Sequence, residues 1–103
     1  MVAAHLLKWV HFEQDTKGRD TELRYFRDIG GREVDFVVTD GVKPLLLVEC
    51  KWEDTAIDKG LRYLHAKFPG AEAWQVSATG SKDYQSSEGI RVTHALKLLE
   101  TLI

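Results

Sequence analysis

The apolar positions change spacing along the chain, and the changes mark its elements. Val2, Ala3, Leu6, Leu7 and Val10 recur on one helical face and predict a helix over 2–12. Asp15 to Asp20 is a polar loop. Leu23, Tyr25 and Phe26 give bulk to a first strand over 22–28, and Ile29-Gly30-Gly31-Arg32 predicts a tight turn, since paired glycines accept positive φ. A second strand covers 33–39 and a third 44–52. Residues 55–68 predict a helix buried along Ile57, Leu61, Leu64 and Phe68. Thr55 with Asp58 three positions on has the form of a capping box, and Pro69-Gly70 stops the helix. Glu72 to Ala78 is a short strand carrying Trp74 and Val76. Residues 79–89 are small and polar, a surface loop. Residues 90–92 suit a last short strand. Thr93 then caps a helix with Leu96, Leu99, Leu102 and Ile103 facing inward.

This order predicts an α/β fold, α-β-β-β-α-β, with a mixed central sheet and a C-terminal helix. The third and fourth strands flank a helix and so are expected to be parallel. Unbroken apolar character from Leu45 to Val48 makes the third strand central and covered on both faces, by the first helix and the helix over 55–68.

The chain has 103 residues, enough for one domain over 1–103, and 44% apolar with 29% charged residues is ordinary for a globular protein. No apolar run approaches the roughly 20 residues that span a bilayer. Cys50 is the only cysteine, so no intrachain disulfide forms and the cytoplasm is the expected compartment. A net charge of −2 argues against a dedicated nucleic-acid binder without excluding a local basic surface.

Charge changes the picture most where it interrupts apolar strands. Asp35 lies within Glu33-Val-Asp-Phe-Val-Val-Thr39, and Glu49 and Lys51 lie within Leu45-Leu-Leu-Val-Glu-Cys-Lys-Trp52. An isolated ion in such a setting costs several kcal/mol, roughly, so these charges need partners. A strict two-residue loop at Asp40-Gly41 would set Asp35 against Leu46 and turn Glu49 to the other face. A three- or five-residue loop sets Asp35 against Leu47 or Glu49, and the three charges converge. Pro44, awkward inside a ladder, favours the longer loop. Two converging carboxylates repel unless a cation joins them. Oxygen ligands from Asp35, Glu49 and the backbone carbonyl of Cys50 suit magnesium. Such an ion polarises a phosphodiester and activates water, and Lys51 is placed to orient that water or offset charge at phosphorus. A structural ion-pair cluster is the other reading of the same residues.

Asp35 followed by Glu49-Cys50-Lys51 resembles the Asp…(Asp/Glu)-x-Lys signature of the restriction-endonuclease-like (PD-(D/E)xK) nuclease superfamily, whose α-β-β-β-α-β core matches the predicted order. Tyr25-Phe-Arg-Asp-Ile-Gly-Gly-Arg-Glu-Val-Asp-Phe-Val-Val and Pro44-Leu-Leu-Leu-Val-Glu-Cys-Lys are similar to the nuclease-like domain C-terminal to the ATPase module of many prokaryotic AAA-type ATPases. The similarity runs from the first helix to about Ser77. It implies catalytic roles for Asp35, Glu49 and Lys51 and a magnesium cofactor. It also implies DNA as a partner, or an ATPase module in a longer parent. The superfamily's acid in the first helix has no counterpart here, because the chain begins too late for it and Glu13 lies at the helix's far end. The domain is therefore expected to be N-terminally shortened. The alternative function is a non-catalytic DNA-binding, protein-docking or self-association module, the last making a homo-oligomer.

The remaining polar and aromatic residues carry less. His5, His11, His65 and His94 have no metal-ligand spacing. Cys50 should pack on the face opposite Glu49 and Lys51. Glu33 reads as a solvated strand-edge residue near the rim of the site, and Gln75 as a satisfied polar group that could also meet a phosphate. Trp52 and Trp74 are expected as core or edge bulk. Trp9, off the apolar stripe, is expected to mark a contact surface. The mixed charges of Lys17 to Arg32 read as a solvated hairpin, with a phosphate-tracking stripe as the sharper reading.

Overall fold

The structure is a computed structural model that describes residues 2–102. Helix α1 (Val2–Lys17) leads into β1 (Thr21–Arg27), β2 (Glu33–Asp40) and β3 (Lys43–Lys51). Helix α2 (Lys59–Lys67) connects to β4 (Glu72–Ser77), and β5 (Tyr84–Gln85), β6 (Ile90–His94) and α3 (Ala95–Leu102) complete the chain. The strands form one mixed sheet in the order β1-β2-β3-β4-β6-β5. β1, β2 and β3 are antiparallel neighbours, β3, β4 and β6 run parallel, and β5 returns antiparallel along β6. The expected α/β class and the parallel pairing across α2 are both present.

β3 is interior, and its side chains serve two cores in turn. Leu46 and Val48 pack with Leu6 and Val10 of α1, Ala95 and Leu98 of α3, and Val38, Trp74 and Val76. Leu47 packs with Leu61 and Leu64 of α2 and with Val34, Val37, Ala73, Ile90 and Val92. This is why residues 46–48 are apolar without alternation. The expected covers were α1 and α2; α3 shares the α1 face.

Several expected details differ. α1 continues to Lys17 rather than giving way to a loop at Asp15; its polar last turn is tied by Lys17 to Glu13 (3.2 Å). The buried stripe is Leu6, Val10 and Glu13, while Leu7 is exposed and Trp9 packs partly against the core. α2 starts at Lys59, with Asp58 rather than Thr55 as its N-cap, and Phe68 is partly exposed. In α3 it is Ala95, Leu98 and Leu99 that are buried, and Leu96 faces solvent; Ile103 lies outside the described residues. Of the two tryptophans expected as core or edge bulk, Trp74 is buried and Trp52 is 75% exposed. The segment expected as a bare loop over 79–89 contributes β5.

The β2–β3 hairpin turns on two residues, Gly41 (φ 62°) and Val42, rather than on a longer loop. Phe36, Val37 and Val38 face Val48, Leu47 and Leu46, yet Thr39 faces Pro44. Leu45 is thus an extra residue, a β-bulge beside the proline, and it restores the register the longer loop would have given. A second irregularity lies on the other side of β2. Arg24 faces Val37 and Phe26 faces Val34, so Tyr25 alone stands opposite Asp35 and Phe36. Val34 and Val37 consequently reach the same core although they are three residues apart.

α2 lies close on the start of β2. A Cβ added at Gly60 would collide with the backbone oxygen of Glu33 and lie 2.7 Å from its nitrogen. Gly60→Ala is therefore expected to destabilise the fold by about 1–3 kcal/mol, despite alanine's better helix propensity. Urea unfolding checks this, with Gly70→Ala, whose added Cβ meets nothing within 4 Å, as the tolerated control.

Candidate functional site

At its end near Glu33, β2 stops pairing with β3 by regular backbone bonds and side chains take over. One step past Phe36 and Val48 the register sets Asp35 beside Glu49. The Asp35 N–H donates to Glu49 Oε1 (3.0 Å), and the Cys50 N–H donates to Asp35 Oδ2 (2.9 Å). Each carboxylate is held by the other strand's backbone. Asp35 is exposed; Glu49 is buried. Cys50 packs on the α1 side of the sheet, as the alternation from Glu49 and Lys51 requires.

Lys51 points to the same side as Glu49 and is held twice. Its Nζ lies 3.2 Å from Glu49 Oε2 and 3.0 Å from Asp58 Oδ1. Asp58 is also the cap of α2, accepting from the N–H groups of Gly60 (2.9 Å) and Leu61 (3.3 Å). Gln75 on β4 completes the frame. Its Oε1 accepts from the Asp58 N–H (2.8 Å), and its Nε2 donates to the carbonyls of Ala56 (3.1 Å) and Thr55 (3.4 Å). Gln75 is 2% exposed and fully engaged, so the satisfied-polar reading holds and its hydrogen bonds are not free for a phosphate.

Above this frame is a small cavity of about 130 Å³, lined by Arg32, Glu33, Glu49, Lys51, Asp58 and Lys59 with Gly31. Arg32 is fixed by Asp28 (Nε to Oδ2 2.7 Å) and lies over the Tyr63 ring at 3.6 Å. Glu33 is exposed at the rim and paired to Arg27 (3.2 Å). Asp58, Lys59 and Arg32 are the site residues that sequence reasoning missed. The usable signal for Asp58 was its place as the last good capping residue before Gly60 and the Leu61/Leu64 stripe.

Glu49 and Asp58 flank Lys51, and Asp35 lies beside Glu49. Burial raises the Glu49 pKa above its ordinary value, and the like charges of Asp35 and Asp58 act in the same direction against the Asp35 N–H and Lys51. Burial is the largest single influence on Lys51 and Asp58 and opposes both charges, but it is outweighed in sum, at Lys51 by Asp58 together with Glu49 and at Asp58 by Lys51 together with the Gly60 and Leu61 N–H groups: Lys51 is raised and Asp58 lowered. Burial, then the charges of Asp35 and Glu49, pushes the Cys50 thiol up to about 11, which suits an inert packing residue. Among the described residues no group of three or more His, Cys, Asp or Glu side chains is arranged to hold a metal ion. Glu13 is on the α1 face, with Lys17 and Arg19, and is not part of this network.

A family model described as "Domain of unknown function (DUF4143)" matches residues 1–98. The chain belongs to the DUF4143 family. Domains of this family are often found C-terminal to AAA-type ATPases. Comparison of the DUF4143 chain with curated proteins and with solved structures gives no match. No described helix is long and apolar enough to cross a membrane.

The pH dependence has opposite signs at the two acids. Glu49, raised above 4.5, contributes stability below that value that is lost as pH rises through its folded pKa. Asp58, lowered below 3.8, contributes stability above that value that is lost as pH falls through its folded pKa. Lys51→Met removes the cation beside Glu49 and is expected to raise the Glu49 pKa further, read by carboxyl NMR titration.

Proposed function

We propose that the Asp35, Glu49 and Lys51 cluster is a nuclease-type phosphodiester site or its degenerate descendant, in a domain derived from the C-terminal part of an AAA-type ATPase. The observation that carries this reading is the pairing of Asp35 with Glu49 across two strands, with Lys51 two residues along the same face. Asp35 and Glu49 act on each other as like charges, and the donors are hard oxygens, which suits a magnesium ion. Asp35, Glu49 and the Cys50 carbonyl would hold it. When bound, it supplies Lewis-acid activation of a phosphodiester and of water. Lys51 sits on a short lever at a strand end, held by Glu49 and Asp58, and would offset charge developing on phosphorus. Arg32 and Lys59 at the cavity rim would attract the nucleic-acid backbone.

Magnesium or manganese titrated calorimetrically against the protein is expected to bind with a millimolar or lower Kd, and Asp35→Ala and Glu49→Ala are each expected to abolish it. Cleavage of labelled DNA is expected to fall by at least 10²-fold in Lys51→Ala, the scale of losing one transition-state charge partner. Absence of metal binding at millimolar concentration sinks the catalytic reading.

The closure of the network favours a second reading. Lys51 already has two carboxylate partners, and Gln75 uses its side-chain oxygen and both of its amide contacts internally. A site so satisfied also suits a non-catalytic DNA-binding or docking module. Metal-independent DNA binding that weakens steeply with salt is the result that separates it from the first.

A further inference from the structure

We infer that the groove between β1 and the end of α2 takes the bases of a single-stranded nucleic acid whose phosphates follow α2 to the Asp35–Glu49–Lys51 cluster. The central observation is the irregularity of β1. A regular strand shows alternate residues to one face, yet Arg24, Tyr25 and Phe26 all line this groove. The bulge accounts for this, because Tyr25 alone stands opposite Asp35 and Phe36 and leaves the regular pleat. Lys67 and the next residue, Phe68, line the other side, and the groove encloses about 320 Å³, at the lower end of small-ligand volumes. Tyr25 is 69% exposed and Phe68 36%, so both rings are accessible to a ligand.

Charge selects the occupant. No carboxylate lines the groove, and Arg24 is paired with Glu22, which leaves Lys67 as the unmatched cation there. Along α2, Arg62 is taken by Glu88 (2.8 Å), whereas Lys59 and Lys67 have no carboxylate partner among the described residues. They are eight positions apart, about 12 Å of helix. Lys59 lines the cavity above Lys51 and Lys67 lines the groove, so one free ammonium stands at each. Tyr63 joins the two. Arg32 of the cavity lies 3.6 Å from its ring, and Lys67 of the groove 5.9 Å. Phe26 stacks on the same ring at 6.3 Å, so Tyr63 is a fixed bridge and the open rings are Tyr25 and Phe68. Spaced cations beside exposed rings match a single strand, whose phosphates recur and whose bases offer flat faces. A duplex keeps those faces stacked inside, and an acidic peptide carries the charge without them. The inference rests on the nucleic-acid partner that both readings of the cluster share, and adds its strand form and its path.

The test is fluorescence anisotropy of the full chain with a labelled oligothymidylate of about ten nucleotides, a length that one small site covers. It is measured at low salt in EDTA and with calcium, an oxygen-seeking ion offered in place of magnesium. Saturable binding in at least one condition is expected, at least tenfold tighter than that of a hairpin duplex of equal charge. Tyr25→Ala and Phe68→Ala should each weaken it at least fivefold, the scale of losing one stacked base, while Tyr25→Phe keeps it. Lys67→Gln should weaken it at least threefold and lower its salt dependence. Tyr25 is exposed on an edge strand, so its variants keep the test open if Phe68→Ala disturbs the end of α2. No saturable binding at about 100 μM protein, the weak end of charge-driven affinity, overturns the proposal. So does equal affinity for the duplex or for polyglutamate. Binding only with calcium belongs to the catalytic reading and binding in EDTA to the non-catalytic one, and the groove stands under either if the ring variants weaken it. A strand still bound with unchanged affinity in Tyr25→Ala removes the groove and leaves the cluster's nucleic-acid reading in place.

Discussion

One surplus residue in β3 controls where the charges of this domain meet. Leu45 bulges beside Pro44, and the ladder beyond it is offset by one position from the ladder at the turn. Without that offset a tight turn would send Glu49 and Lys51 to the α1 side, into the apolar cluster of Leu6, Val10 and Trp74 and away from Asp58. With it, both ionic side chains reach the N-terminus of α2, where Asp58 receives the ammonium and Gln75 fixes the approach. The strand register, the helix cap and the ion pairs are therefore one structure, and each depends on the others.

The irregularity at Asp35 belongs to the same economy. Opposite Tyr25, β2 has two residues for one, so Asp35 leaves the regular pleat as the pairing with β3 ends. Its carboxylate then closes on the Cys50 N–H while its own N–H goes to Glu49. Bulges gather at places where a side chain must be re-aimed, and here two of them flank the strand that carries the exposed acid.

Much of this was legible in the chain. The continuous apolar run of Leu45 to Val48 gave away an interior strand, and the two charged residues beyond it gave away an ion-paired cluster, because ions in such a run demand partners. Local rules failed where tertiary contacts decide. Thr55 and Asp58 both satisfy capping preferences, and the choice falls to Asp58 because Lys51 and Gln75 meet it there. Leu7 and Leu96 look like core residues by type, yet both are exposed. The bulges left no compositional mark beyond Pro44. The longer loop expected from Pro44 left Asp35 opposite Leu47 or Glu49; a two-residue turn and a bulge set it beside Glu49 instead.

The strand pair β5–β6 has a different kind of consequence. β5 offers only Tyr84 and Gln85 to its neighbour, opposite Val92 and Arg91. A rim so short, with Arg91 paired to Asp83 alongside, presents almost no template on which a foreign strand could grow. The opposite margin, β1, is seven residues long but studded with Arg24, Arg27 and Glu22, whose like charges would face each other in a parallel in-register stack. The domain is thus guarded against sheet-to-sheet polymerisation at both ends by two unrelated means, brevity on one side and ionic spacing on the other.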